Sequence, residues 1–167
     1  MNDGLLVAFR HNAWATRQLL VRCHELTPAQ REATVTGVYG NPVATLWHIV
    51  AAEANYCFRL SDRRPDWDWQ AEEPPSLDEL TTRAEEMAVR WEAFLAAPFD
   101  AERLLVYQWK DWMRKDVPAG VVLAQALHHG NEHRGQINTV LTAIGVEPLA
   151  LGLWDFAEAT NRATPSG

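Results

Sequence analysis

The sequence offers little for disulfide chemistry, nucleic-acid binding or membrane crossing. Its 167 residues include two cysteines, Cys23 and Cys57. Each falls on an apolar helical stripe, so both read as small buried hydrophobes of a reducing compartment rather than as a disulfide or a reactive thiol. Lys and Arg form no cluster beyond pairs such as Arg63-Arg64, and the formal charge is −7. Neutralising a phosphate backbone needs grouped cations, so nucleic acid is excluded as a partner. No apolar run approaches the ~20 residues that span a bilayer. The Met1-Asn2-Asp3 start has neither the basic nor the apolar part of a signal peptide, and the expected location is the cytoplasm. No Ser/His/Asp or Cys/His arrangement for nucleophilic catalysis stands out.

What is present is a chain with 47% hydrophobic residues, enough to bury one core, and residues 1–167 are expected to form a single domain. Leu5, Phe9, Ala13, Leu20 and Cys23, with Thr16 in register, repeat at the spacing of a half-buried helix over Leu5 to Leu26. Thr27-Pro28-Ala29-Gln30 predicts a capped helical turn, followed by a loop over Thr36 to Gly40. Asn41-Pro42 opens a long helix with the stripe Val43, Leu46, Trp47, Val50, Ala54, Cys57 and Phe58, ending near Ser61. Charge, Trp and three prolines between Asp62 and Ser76 suit an irregular connection. Ser76-Leu77-Asp78-Glu79 reads as a capping box for a helix to about Ala97, with Leu80, Ala84, Met87, Trp91 and Leu95 inward. Residues Arg103 to Val117 suggest a short hairpin. The last long helix runs from after Pro118 to Ile144 and stops at Gly145. The fold class is therefore all-α, an antiparallel four-helix bundle with a short hairpin before the last long helix.

On a wheel of about 100° per residue, Leu123, Ala126, Leu127, Ile137, Val140, Leu141 and Ile144 share the core face of that last helix. His133 lies inside this arc, His129 at its edge one turn earlier, and Gly130 within it, where a partner backbone could approach. His128 points to solvent. An i,i+4 histidine pair can aim two imidazoles at one point and so supply two metal ligands. The spacing alone is weakly specific, and the alternative is two partly buried histidines donating to backbone or carboxylate groups. On the Asn41–Ser61 helix, His48 sits off the main stripe beside Ala44, Ala51, Ala52 and Asn55, small neighbours that leave a cavity, and is a natural third nitrogen ligand. His129-Gly130-Asn131-Glu132-His133 also spells the H-x-x-E-H peptidase signature. Glu132, however, faces away from His133 and reads as a solvated acid.

Thr45-Leu46-Trp47-His48-Ile49-Val50-Ala51-Ala52-Glu53 and His129-Gly130-Asn131-Glu132-His133-Arg134-Gly135-Gln136-Ile137 resemble the two signature segments of the DinB-like (YfiT-like) superfamily. The stretch from Phe9 to Leu20, with Asn12 and Trp14, resembles its first helix. The resemblance implies a four-helix bundle, often homodimeric, that binds a divalent metal through one histidine of the second long helix and two of the last, here His48, His129 and His133. Zn or Ni head the expected metals, followed by Mn or Fe, and three imidazoles suit several such ions. The resemblance further implies, for some members, transfer or isomerisation of groups with a low-molecular-weight thiol such as bacillithiol or mycothiol. Metal-dependent hydrolysis and a non-catalytic, stress-related metal-binding role are the alternatives.

The resemblance assigns no role to Arg134 or Gln136: Arg134 either binds an anionic substrate or pairs across helices. His11 and His24 read as ordinary helix residues. Of the eight tryptophans, Trp14, Trp47 and Trp91 fall at core or near-core positions. Trp67, Trp69, Trp109, Trp112 and Trp154 are candidates for a cleft or a dimer interface.

Overall fold

Local capping decides where the helices begin. The structure, a computed structural model, describes residues 3–110 and 113–163. Helix α1 spans Asp3–Glu25. A full capping box then starts α2, Pro28–Arg31: Thr27 Oγ1 accepts from Gln30 N at 3.3 Å, and Gln30 Oε1 accepts from Thr27 N at 2.9 Å. Asn41 caps α3, Pro42–Ser61, by accepting from Ala44 N. Ser76 caps α4, Leu77–Leu95. Only half of the expected box forms there, because Glu79 turns to Arg83 at 2.8 Å, where an ion pair is available one turn on.

Strands β1, Leu104–Lys110, and β2, Met113–Pro118, make the expected hairpin, with Leu105 opposite Val117 and Tyr107 opposite Lys115. Alternation turns Tyr107 inward and leaves Leu104 and Val106 exposed. Helix α5, Ala119–Ala143, ends as the glycine signal predicts: Gly145 takes φ +74°, and Val146 N returns to Leu141 O at 2.9 Å. A last short helix, α6, Leu153–Ala159, was not expected. Its seven residues carry too little periodicity to be read from sequence. It forms because Phe156 buries itself against Trp14 and His11 of α1.

The four long helices form an all-α bundle. Residue pairs give their directions. Arg10 meets Glu92 and Arg17 meets Glu85, so α1 and α4 run antiparallel. His48 meets His133 and Tyr56 meets His129, so α3 and α5 do too. Trp47 meets Arg83 and Glu53 meets Trp91, so α3 and α4 run in the same direction. A parallel neighbour requires the chain to travel back the length of a helix, about 30 Å for the 20 residues of α3. The irregular connection 62–76 does this.

Trp67 and Trp69 pin that connection down. Trp67 packs on Trp47 and bonds Glu86, and Trp69 packs on Phe58. Trp47 and Trp91 are core residues, while Trp14 is half-buried. Trp154 is 83% exposed. The Trp109 side chain and Trp112 lie outside the described residues. Cys23 and Cys57 are free and buried, and burial pushes their thiols up to about 12 and about 11, leaving almost no thiolate at neutral pH. No described helix is long and apolar enough to cross a membrane.

Candidate metal centre

Helices α3 and α5 place His48, His129 and His133 against one another. One ring nitrogen from each can be chosen so that the three lie within 4.8 Å of one another. All three side chains are half-buried, whereas His128 is exposed and faces Glu132 at 3.8 Å on the solvent side. Glu132 therefore cannot serve as the base that the H-x-x-E-H reading requires. His129 Nε2 and His48 Nε2 stand 3.0 Å apart. Such proximity calls for a proton or a cation between two lone pairs. Burial, then the neighbouring His133, lowers the pKa of His48. Burial foremost, reinforced by His133 and His48, brings His129 down to about 4. Lowered pKa values keep these two imidazoles neutral at physiological pH, the form that ligates a metal.

The outer partners are unequal. Gln136 Oε1 accepts the Tyr39 backbone N–H at 3.0 Å and lies 2.9 Å from His133 Nδ1. A backbone N–H can only donate, so the amide oxygen faces it, and His133 Nδ1 must carry the proton it gives to that same oxygen. The Nε2 lone pair of His133 is then free for the centre. His129 Nδ1 is buried without a hydrogen-bond partner. The donor set, three converging imidazoles with one tautomer locked, fits a divalent ion of the Zn, Ni or Fe kind. Gln136→Ala is expected to weaken metal affinity about 10–100-fold while leaving helicity unchanged, as loss of an orienting partner does. Titration with a competing chelator measures it.

Tyr39, from the α2–α3 loop, stacks on His48 at 4.0 Å and 17° and stands edge-on to His133. On the other side, Tyr56 stands edge-on to His129, with ring centroids 5.9 Å apart, and bonds the Gln125 side chain. Neither tyrosine was legible in the sequence, because each reaches the site from outside the histidine segments.

Arg134 is structural. It is 3% exposed and points away from solvent into the bundle, where its guanidinium donates to Asn12 Oδ1 at 2.9 Å and Thr16 Oγ1 at 3.2 Å. Asn12 Nδ2 donates in turn to Glu53 Oε1 at 2.8 Å, and Trp91 Nε1 to Glu53 Oε2 at 3.2 Å. This network joins all four long helices. Burial pushes the Glu53 carboxyl up, opposed by Asn12, the Arg134 charge and Trp91. It also pushes Arg134 down to about 10, still charged at neutral pH. Gly130 is the space this needs: a Cβ there would lie 2.9 Å from both Arg134 Nη1 and Asn12 Oδ1. The close approach expected at Gly130 is thus made by side chains, not by a partner backbone. His11 meets the Leu151 carbonyl at 2.7 Å and His24 lies 3.9 Å from Asp78, both away from the centre.

Helices α3 and α5 of this bundle thus bring together three histidines that could hold a metal ion. The model of the DinB family matches residues 1–165, and the chain belongs to that family. The crystal structure of a DinB-like protein from Bacillus cereus ATCC 10987 superposes with a TM-score of 0.68 at 16% identity, covering 89% of this chain and 96% of that one. At that identity the likeness speaks for the fold alone. No curated protein matches the chain.

Proposed function

We propose that the protein is a divalent-metal-dependent enzyme that transfers a group to or from a low-molecular-weight thiol, with His48, His129 and His133 as its metal ligands. The convergence of the three ring nitrogens carries this reading. Zn or Ni are the favoured ions, with Mn or Fe behind them. The bound ion would hold the thiol as its thiolate, the nucleophilic form.

The protein's own residues favour a thiol over water as the nucleophile. Among the described residues no carboxylate joins the three histidines. Glu53 is committed to Asn12 and Trp91, and Glu132 faces solvent. Hydrolysis ordinarily pairs the metal with a general base, whereas a coordinated thiol is deprotonated outright. The sulfur must come from a cosubstrate, because Cys23 and Cys57 are buried and protonated. Tyr39 stacks on the His48 ring and Tyr56 stands edge-on to His129.

The test is thiol consumption against model electrophiles, epoxides and activated halides, by protein loaded in turn with Zn, Ni, Mn and Fe. Wild type consumes one of glutathione, bacillithiol, mycothiol or cysteine above the uncatalysed rate. His48→Ala abolishes this with an unchanged circular dichroism spectrum. Failure of wild type with every metal and thiol returns the protein to the hydrolytic or non-catalytic readings.

A further inference from the structure

Residues of α3, α5 and the hairpin enclose a cavity of about 340 Å³, lined by Tyr56, Tyr107, Val117, Val121, Val122 and Gln125. One lining residue reaches the centre, and a second lies one turn from it. Tyr56 is the ring that stands edge-on to His129. Gln125, bonded to Tyr56, lies on α5 one turn before His129, about 6 Å along the axis. The hairpin closes the far end through Tyr107 and Val117. Tyr107 is 7% exposed and is held in place by the Arg59 guanidinium 4.3 Å above its ring.

No charged side chain lines this cavity. Its surface is three valines and two tyrosine rings, with an amide and hydroxyls as the polar handles, the make-up of a site for an uncharged apolar group. A carboxylate or ammonium placed there would meet no charged partner in the lining. Val121, at the mouth, is 56% exposed.

We infer that this cavity receives the neutral, apolar or aromatic portion of the substrate whose polar end lies at the three histidines. The inference rests on the metal-centre reading for the placement of the polar end. It makes the substrate two-ended: a donor or electrophilic atom at the histidines, and within about 6–10 Å a hydrophobic moiety between Tyr56 and Tyr107.

The experiment has two arms, so that the cavity and the centre can fail separately. In the first, the neutral fluorophore N-phenyl-1-naphthylamine is titrated into metal-free wild type, Val121→Glu and Val89→Glu. Val89 is an exposed valine of α4 outside the cavity, 69% exposed. Saturable binding at one site per chain, weakened about tenfold or more by Val121→Glu and unchanged by Val89→Glu, is expected from the loss of apolar burial. In the second, cobalt-loaded protein is titrated with 3-phenyl-1-propanethiol and with 1-propanethiol, read by thiolate-to-cobalt absorption. The phenyl thiol binds about tenfold or more tighter to wild type, and Val121→Glu removes that preference without changing cobalt uptake. Protein that takes up no cobalt but passes the first arm refutes the metal centre and upholds the cavity. Fluorophore binding indifferent to Val121→Glu, equal affinity for the two thiols, or a wild-type dimer that excludes the fluorophore until Val121→Glu dissociates it, overturns the inference.

Discussion

His129→Ala and His133→Ala each leave the purified protein without stoichiometric metal, while His128→Ala retains it. The three histidines lie within six residues of one helix, yet only two face α3. His129 Nε2 stands 3.0 Å from His48 Nε2, and His133 Nδ1 is engaged by Gln136. His128 is turned out toward Glu132. Loss of an outer partner alone weakens a metal site by about 10–100-fold, so loss of one of three ligands should exceed about a hundredfold. Elemental analysis after dialysis against a weak chelator reads the outcome as metal per chain. Full stoichiometry in His133→Ala would sink the centre as drawn. The substitutions should spare the fold, because both side chains are half-buried at the edge of the core and not within it.

Arg134→Ala is expected to cost about 1–3 kcal/mol of folding stability for each buried acceptor left without its donor, Asn12 Oδ1 and Thr16 Oγ1. The loss would leave Asn12 Oδ1 and Thr16 Oγ1 without their donor deep between the helices, and would remove the cation nearest the buried Glu53 carboxyl. A nonpolar replacement of both residues, Arg134→Met with Glu53→Leu, should recover part of the loss, since the burial cost of both polar side chains then disappears. Chemical denaturation of the two single variants and the double variant forms a mutant cycle, and additive effects would argue against the network. Metal affinity gives the contrasting readout. Arg134 donates to α1 and away from the histidines, so stability should fall far more than affinity for the ion.

Much of this architecture follows from local sequence. Thr27, Asn41 and Ser76 cap their helices because a side-chain oxygen two or three residues from a free N–H needs no tertiary help. Gly145 ends α5 because only glycine enters the left-handed region at little cost. The stripes of α3, α4 and α5 predicted the burial of Leu46, Val50, Leu80, Met87, Leu123 and Ile137. The wheel also separated His129 and His133 from His128, since an i,i+4 pair on a rigid helix keeps its geometry wherever the helix packs.

The rest depends on contacts between segments far apart in the chain. Tyr39 reaches His48 from a loop without periodicity, and its backbone N–H fixes the Gln136 amide that in turn sets the His133 tautomer. Asn12, Glu53, Trp91 and Arg134 belong to four different helices. Each looks like an isolated polar or aromatic residue until the bundle brings them within hydrogen-bonding distance. The parallel course of α3 and α4, the burial of Phe156 that holds α6, and the cavity between Tyr56 and Tyr107 were likewise decided only in three dimensions. Helix boundaries and faces are properties of spacing within about four residues, which a sequence states directly. Which faces meet depends on packing and desolvation summed over the whole core, and no local stretch of sequence carries that information.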